Sequence, residues 1–198
     1  MKKILIVVDY QYDFASKNGK LSVPNGDTIS KKIQKRIDSK NYHSIIYTFD
    51  THTTKEYKKS EEKTLYKFPI HCKFKKIGWE LFDIKPENNI KFNFIIDKMD
   101  KPFSMISIEN EHFFTKDKFS IWEGNENYSN WFEDKFQNDE YEIDIVGVAI
   151  EFCVKMNIQG LINRGYKVNL IQDCVMGITE EGISEAMNLF QEISVKFK

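Results

Sequence analysis

The sequence predicts an α/β protein with three layers, α/β/α, built on a central, mostly parallel six-stranded sheet. Three observations lead there. Short β-branched runs such as Ile4–Val8, Ser44–Phe49 and Ile143–Ala149 are bounded by polar residues, the pattern of strands buried on both faces. Segments of helical period lie between them, and strands alternating with helices make a parallel sheet covered on both sides. Several runs also end on a reactive side chain, as expected where strand ends line a crevice.

In chain order, the first strand Ile4–Val8 runs into Asp9. Asn18-Gly19 and Pro24-Asn25-Gly26 mark turns. Asp27 is expected to cap a helix whose Ile29, Ile33 and Ile37 form one apolar stripe. The second strand, Ser44–Phe49, ends at Asp50, and residues 51–76 read as a polar, lysine-rich loop carrying Phe68-Pro69-Ile70-His71. The run Phe94–Asp97 is predicted as a third strand leading to Lys98. Residues 99–127 are aromatic-rich and without period; a lid or interface insertion is expected at about 102–130 within a single 1–198 domain. Ser129–Phe136 reads as a short helix and Ile143–Ala149 as the fourth strand. The helix Phe152–Arg164 is closed by Gly165, and Tyr166–Ile171 is the fifth strand. Thr179, followed by Glu180 and Glu181, opens the last helix before a sixth strand at Ile193–Phe197.

The bulk composition narrows the function. Lys+Arg 29 against Asp+Glu 30 leaves a net charge of −1, which offers no electrostatic basis for binding nucleic acid or an anionic membrane. Three cysteines without a C-x-x-C pair speak against a disulfide framework and for a reducing cytoplasm. The apolar run before Asp9 is too short for a signal peptide, and nothing reaches the length of a membrane span.

Two constellations carry chemistry. Asp9, Lys98 and Cys153 follow three predicted strands, so an acid, an ammonium and a thiol converge on one crevice. At the start of the helix after the fourth strand, Cys153 is expected to gain thiolate character from the helix dipole and from Lys98. Singly, each residue has a plainer reading as a cap, a solvated lysine or a small core thiol; Lys101 is close enough to stand in for Lys98. In the second constellation, Asp50 and His52 lie two residues apart and so point to the same side of an extended chain, with His71 as a possible third ligand. Two imidazoles and a carboxylate suit zinc, iron or manganese, and three protein ligands leave positions open. The alternative is that both histidines are ordinary loop residues. Phe14 and Phe68 are candidates to pack on a substrate, or else core residues.

At these residues the chain resembles the cysteine-hydrolase superfamily of nicotinamidases and isochorismatase-like hydrolases. The resemblance rests on Val8-Asp9-Tyr10-Gln11-Tyr12-Asp13-Phe14 and the following Gly19–Pro24. It rests also on Gly147-Val148-Ala149-Ile150-Glu151-Phe152-Cys153-Val154 and on Gly165-Tyr166-Lys167-Val168 with Asp173. It covers nearly the whole chain except residues 105–127. It implies the isochorismatase-like hydrolase fold, a triad of Asp9, Lys98 and Cys153, and an oxyanion hole from the backbone N–H groups of Ala149 and Cys153 beside a cis Val148–Ala149 peptide. It further implies a divalent metal, zinc before iron or manganese, held by Asp50, His52 and His71, with Phe68 in place of a tryptophan. That metal set tips the expectation towards a nicotinamidase-like amidase that cleaves a small carboxamide to acid and ammonia through a thioester, as a homo-oligomer. The segments Thr51–Thr53 and Lys73–Ile77 depart from the family pattern on the substrate side of the pocket, and a further histidine often found after His52 is absent. The alternatives are a same-fold hydrolase of another small amide, an N-carbamoyl compound or an isochorismate-type substrate, and, at a distance, a non-catalytic binding module.

Overall fold

The computed structural model describes residues 1–198. Its sheet has seven strands: β1 (Lys2–Val8), β2 (Ser44–Asp50), β3 (Met105–Ile108), β4 (Glu111–Lys116), β5 (Tyr141–Val148), β6 (Lys167–Met176) and β7 (Lys196–Phe197). Their spatial order is β3-β4-β2-β1-β5-β6-β7, and only the β3–β4 pair is antiparallel. The helices are α1 (Ser30–Asp38), α2 (Asn89–Asp97), α3 (Tyr128–Lys135), α4 (Lys155–Ile162) and α5 (Glu180–Glu192), with shorter turns between. None is long and apolar enough to cross a membrane.

Alternation along β1 generates the three layers. Leu5 and Val7 join a core on one face with Ile33 and Ile37 of α1 and Phe92 and Ile96 of α2. Ile4, Ile6 and Val8 join a core on the other face with Phe132 of α3, Ile158 and Leu161 of α4, and Phe190 of α5. The sheet is therefore buried on both sides, which is why its strands read as unbroken apolar runs.

Several local expectations hold. Gly165 sits at φ +81° just after α4, the left-handed C-terminal stop a glycine supplies most readily. The Thr179 side chain accepts from the Gly182 backbone N–H at 3.0 Å and so caps α5. Asp27 does not cap α1, whose N-cap is Ile29; its carboxylate pairs instead with Lys17 at 3.1 Å.

The third strand is a correction. Phe94–Asp97 lies in helix α2, not in the sheet. A short apolar run satisfies either period, and here Phe92 and Ile96, four apart, bury one helical face while Phe94 stays 61% exposed. Its place in the sheet is taken by β4, within the segment read as an insertion. All six β4 residues are buried although three are Glu111, His112 and Lys116, so polar side chains hid a central strand. The Tyr47 hydroxyl and the backbone N–H groups of Glu87 and Asn88 donate to the Glu111 carboxylate, which makes its burial tolerable. With the β3–β4 hairpin in place, the sheet has seven strands instead of six.

Candidate active site

The carboxyl ends of β2, β1, β5 and β4 meet where chain direction across the sheet reverses at β1, the position at which open α/β sheets hold ligands. Asp9 follows β1 directly at φ +46°, in the sparsely populated left-handed region that aspartate tolerates better than most residues. Its Oδ1 accepts from Thr48 Oγ1 at 2.6 Å, and its Oδ2 lies 2.8 Å from Lys116 Nζ. The Lys116 ammonium is 3.5 Å from Cys153 Sγ and 3.5 Å from Asp50 Oδ1, and donates to the Lys118 carbonyl at 2.9 Å. Burial alone would lower the Lys116 pKa, but Asp9, Cys153 and Asp50 outweigh it and keep the ammonium charged well above the usual lysine range.

Cys153 lies in a π-helical turn, Ile150–Val154, between β5 and α4. Burial pushes its thiol well above the usual range; Lys116 pulls it down, and Asp9 and Asp50 raise it again. Close packing fixes the turn. A Cβ on Gly147, at φ +117°, would stand 2.1 Å from the Val8 carbonyl oxygen, so only glycine lets β5 pass β1 at this point. The Val148–Ala149 peptide is cis. The Glu151 carboxylate accepts from the N–H groups of Ile178 and Thr179 at 2.7 and 2.9 Å, tying the cysteine turn to the start of α5.

Next to the thiol, Asp50, His52, Glu62 and His71 bring one ligand-type atom each to within 4.8 Å of one another. All four are almost fully buried. His52 Nε2 lies 2.9 Å from both Asp50 Oδ2 and Glu62 Oε2; His71 Nε2 lies 3.0 Å and 3.4 Å from the same two atoms. Asp50 Oδ1 and Oδ2, His52 Nε2 and Glu62 Oε2 have no hydrogen-bond partner. Buried orphan donors and acceptors are costly, and two carboxylates with two imidazoles converging on one point form a donor set that fits a divalent cation. The orienting contacts agree: the Pro69 carbonyl, 2.8 Å from His71 Nδ1, is placed to accept its N–H and leave Nε2 free to ligate.

Local folding explains why distant residues meet here. The His52 N–H donates to the Cys72 carbonyl, and the Phe74 N–H to the His52 carbonyl, so the two histidine segments run side by side. Buried Asp13 accepts from the Cys72 N–H at 2.8 Å and fixes the chain at His71. Gln11 Nε2 donates to the carbonyls of Asp50 and Trp79, both at 2.9 Å. A narrow cavity opens onto Cys153, Asp50 and His71, walled by Phe14, Phe68, Phe119 and Phe152.

The isochorismatase domain family matches residues 3–195. The chain belongs to that family, part of the cysteine-hydrolase superfamily that includes the nicotinamidases. Among its relatives, the nicotinamidase of Saccharomyces cerevisiae is 27% identical over 96% of this chain and 94% of its own length. Among solved structures, the pyrazinamidase of Pyrococcus horikoshii in complex with zinc superposes with a TM-score of 0.74 at 24% identity, over 100% of this chain and 99% of that one. A protein from L. infantum in complex with nicotinate gives a TM-score of 0.76 at 17% identity, over 100% and 92%. These likenesses place the three-layer fold among isochorismatase-like hydrolases.

Of the residues singled out in the sequence of this family member, the structure brings together Asp9 and Cys153 in one group, Asp50, His52 and His71 in a second, and Phe14 and Phe68 in the cavity wall. Ala149 lines the same cavity. It does not bring Lys98 there. Lys98 ends α2, is exposed, and holds its ammonium 3.7 Å from the centre of the Phe94 ring. Lys101 is exposed too. The buried lysine is Lys116, at the end of the run Phe113-Phe114-Thr115-Lys116, which follows the same rule of an apolar strand ending on a reactive side chain. Glu62 is the other residue sequence reasoning missed. It lies in a short helix, Glu61–Thr64, and nothing in the spacing distinguishes it from its exposed neighbour Glu61.

Proposed function

We propose that this chain is a cysteine-dependent amidohydrolase that converts a small, nicotinamide-like carboxamide to the acid and ammonia. The observation that carries the reading is the contact of one buried ammonium, Lys116, with both Asp9 and Cys153 beside a four-residue metal-type donor set.

In the mechanism, the Cys153 thiol gives its proton to Asp9 as sulfur attacks the amide carbon, and Lys116 compensates the negative charge that passes between them. The backbone N–H groups of Ala149 and Cys153 are assigned to the developing oxyanion, with ~3 kcal/mol per well-placed donor. As the C–N bond breaks, Asp9 returns the proton to the leaving nitrogen, ammonia departs, and an acyl thioester is left on Cys153. Asp9 then takes a proton from water as its oxygen adds to the thioester; expulsion of sulfur releases the acid and restores the thiol. Asp50, His52, Glu62 and His71 would hold a divalent ion, which would supply Lewis-acid chemistry beside Cys153. Phe14, Phe68, Phe119 and Phe152 offer a planar apolar substrate its packing surface.

The test is ammonia release from nicotinamide, pyrazinamide and a set of ureido compounds by the metal-loaded protein and its Cys153→Ala variant. The reading expects turnover of a pyridine or pyrazine carboxamide that vanishes in the variant. Full activity in Cys153→Ala would sink the thioester route, and turnover of ureido compounds alone would move the substrate class to N-carbamoyl compounds.

A further inference from the structure

The four ligand-type residues border two neighbouring spaces of different character. Asp50, Glu62 and His71 face the aromatic cavity, while His52 and Glu62 line a second cleft that adjoins it across Glu62 and Phe119. The walls of the second cleft are polar. Glu56, Glu61 and Asp117 are exposed along it, against Lys59 and Lys118. On its floor, His52 Nε2 and Glu62 Oε2 are buried and unpartnered.

The aromatic side is a poor path for a hydrated dication. Tyr66 packs edge-on against Phe119 at 5.2 Å and Phe152 at 5.9 Å, two rings that line a cavity with mostly apolar walls. An ion crossing it must shed water among apolar side chains before it meets Asp50, Glu62 and His71. A cleft open to solvent with more carboxylates than ammonium groups does the reverse: it concentrates cations and lets carboxylate oxygen take the place of their water stepwise.

We infer that the cleft lined by Glu56, Glu61 and Asp117 is the loading route by which a divalent cation reaches the four ligands, separate from the aromatic entrance used by substrate. The inference rests on these four residues binding a metal. Glu56, Glu61 and Asp117 are then not ligands; their charge sets how fast the ion arrives, and the bound state keeps the same donor set.

The experiment is stopped-flow uptake of Co²⁺ by the chelator-stripped full chain, followed by the visible absorption of the bound ion. In the triple variant Glu56→Gln, Glu61→Gln, Asp117→Asn the association rate constant is expected to fall about tenfold at low ionic strength and to converge on wild type near 0.5 M salt. Final stoichiometry and spectrum stay unchanged. Lys59→Glu is expected to speed uptake severalfold, an arm that does not depend on how well the triple variant folds. Tyr66→Ala, which opens the aromatic side, should leave the rate as it is. Faster uptake in Tyr66→Ala, with the charge variants tracking wild type, would assign entry to the aromatic cavity and overturn the inference. Failure of wild type to bind Co²⁺ at all would instead remove the metal reading on which it stands.

Discussion

Lys116 Nζ, at the end of β4, and Asp9 Oδ2, just after β1, lie 2.8 Å apart with both side chains fully buried. Breaking such a pair from one side leaves an uncompensated buried charge, which costs about 3–5 kcal/mol. Lys116→Met is therefore expected to lower both stability and activity, with amide hydrolysis down by at least about 10³-fold. Lys98→Ala removes only an exposed contact with Phe94, worth about 0.5–1 kcal/mol, and should leave kcat/KM within about twofold. Urea denaturation and ammonia release on both variants check the assignment; a silent Lys116→Met alongside a dead Lys98→Ala would reverse it.

Glu62→Gln keeps the shape of the side chain and removes one of two carboxylates from the donor set. Metal affinity is expected to drop by at least about tenfold, the scale seen even for groups one step removed from a metal. Calorimetric titration of the stripped protein with Zn²⁺ measures it. An unchanged affinity would limit the set to Asp50, His52 and His71.

Phe119 meets Tyr66 and Phe152 at ring-centroid distances of 5.2 Å each. Truncating it enlarges the cavity. Phe119→Ala should raise kcat/KM for bulkier aromatic amides relative to nicotinamide by about 10-fold or more, since a methylene or two of pocket fit is worth ~1–3 kcal/mol. A competition assay with two amides of different size reads this ratio directly.

His112 supplies a pH dependence of stability. It is buried against Trp131 at 4.8 Å, its Nδ1 lies 2.9 Å from Ser107 Oγ, and its Nε2 has no partner. Burial, with Lys135 and His43 nearby, lowers its pKa to about 4. Below the unfolded value of about 6.5 the unfolded chain binds a proton that the folded one refuses, so stability falls as pH drops from about 6.5 to about 4. The contribution is roughly 2–3 kcal/mol over that window. His112→Gln should flatten this part of the curve; urea midpoints at pH 7 and pH 4.5 compare the two proteins.

Legibility in the sequence followed the chemistry of concealment. The ends of β1 and β5 were readable because apolar residues run straight into Asp9 and towards Cys153. Asp50 and His52 were readable because a two-residue step on an extended chain fixes their side. Lys116 was not, because β4 buries Glu111 and Lys116 by pairing them with groups from distant segments, and those partners are invisible in a local window. The run before Lys98 misled for the converse reason: α2 exposes Ile90 and Phe94, so its apolar residues mimic a buried strand. Glu62 depends on a loop folding back over His52, a tertiary event without periodicity.

The seat of Cys153, 6% exposed at a cavity walled by Phe14, Phe68, Phe119 and Phe152, has a consequence for the life of the protein as a chemical object. Oxidation of a cysteine depends on how readily oxidants and electrophiles reach its sulfur as well as on its charge. Here they reach it only by passing between aromatic rings, so the walls that select what meets the sulfur also shelter it.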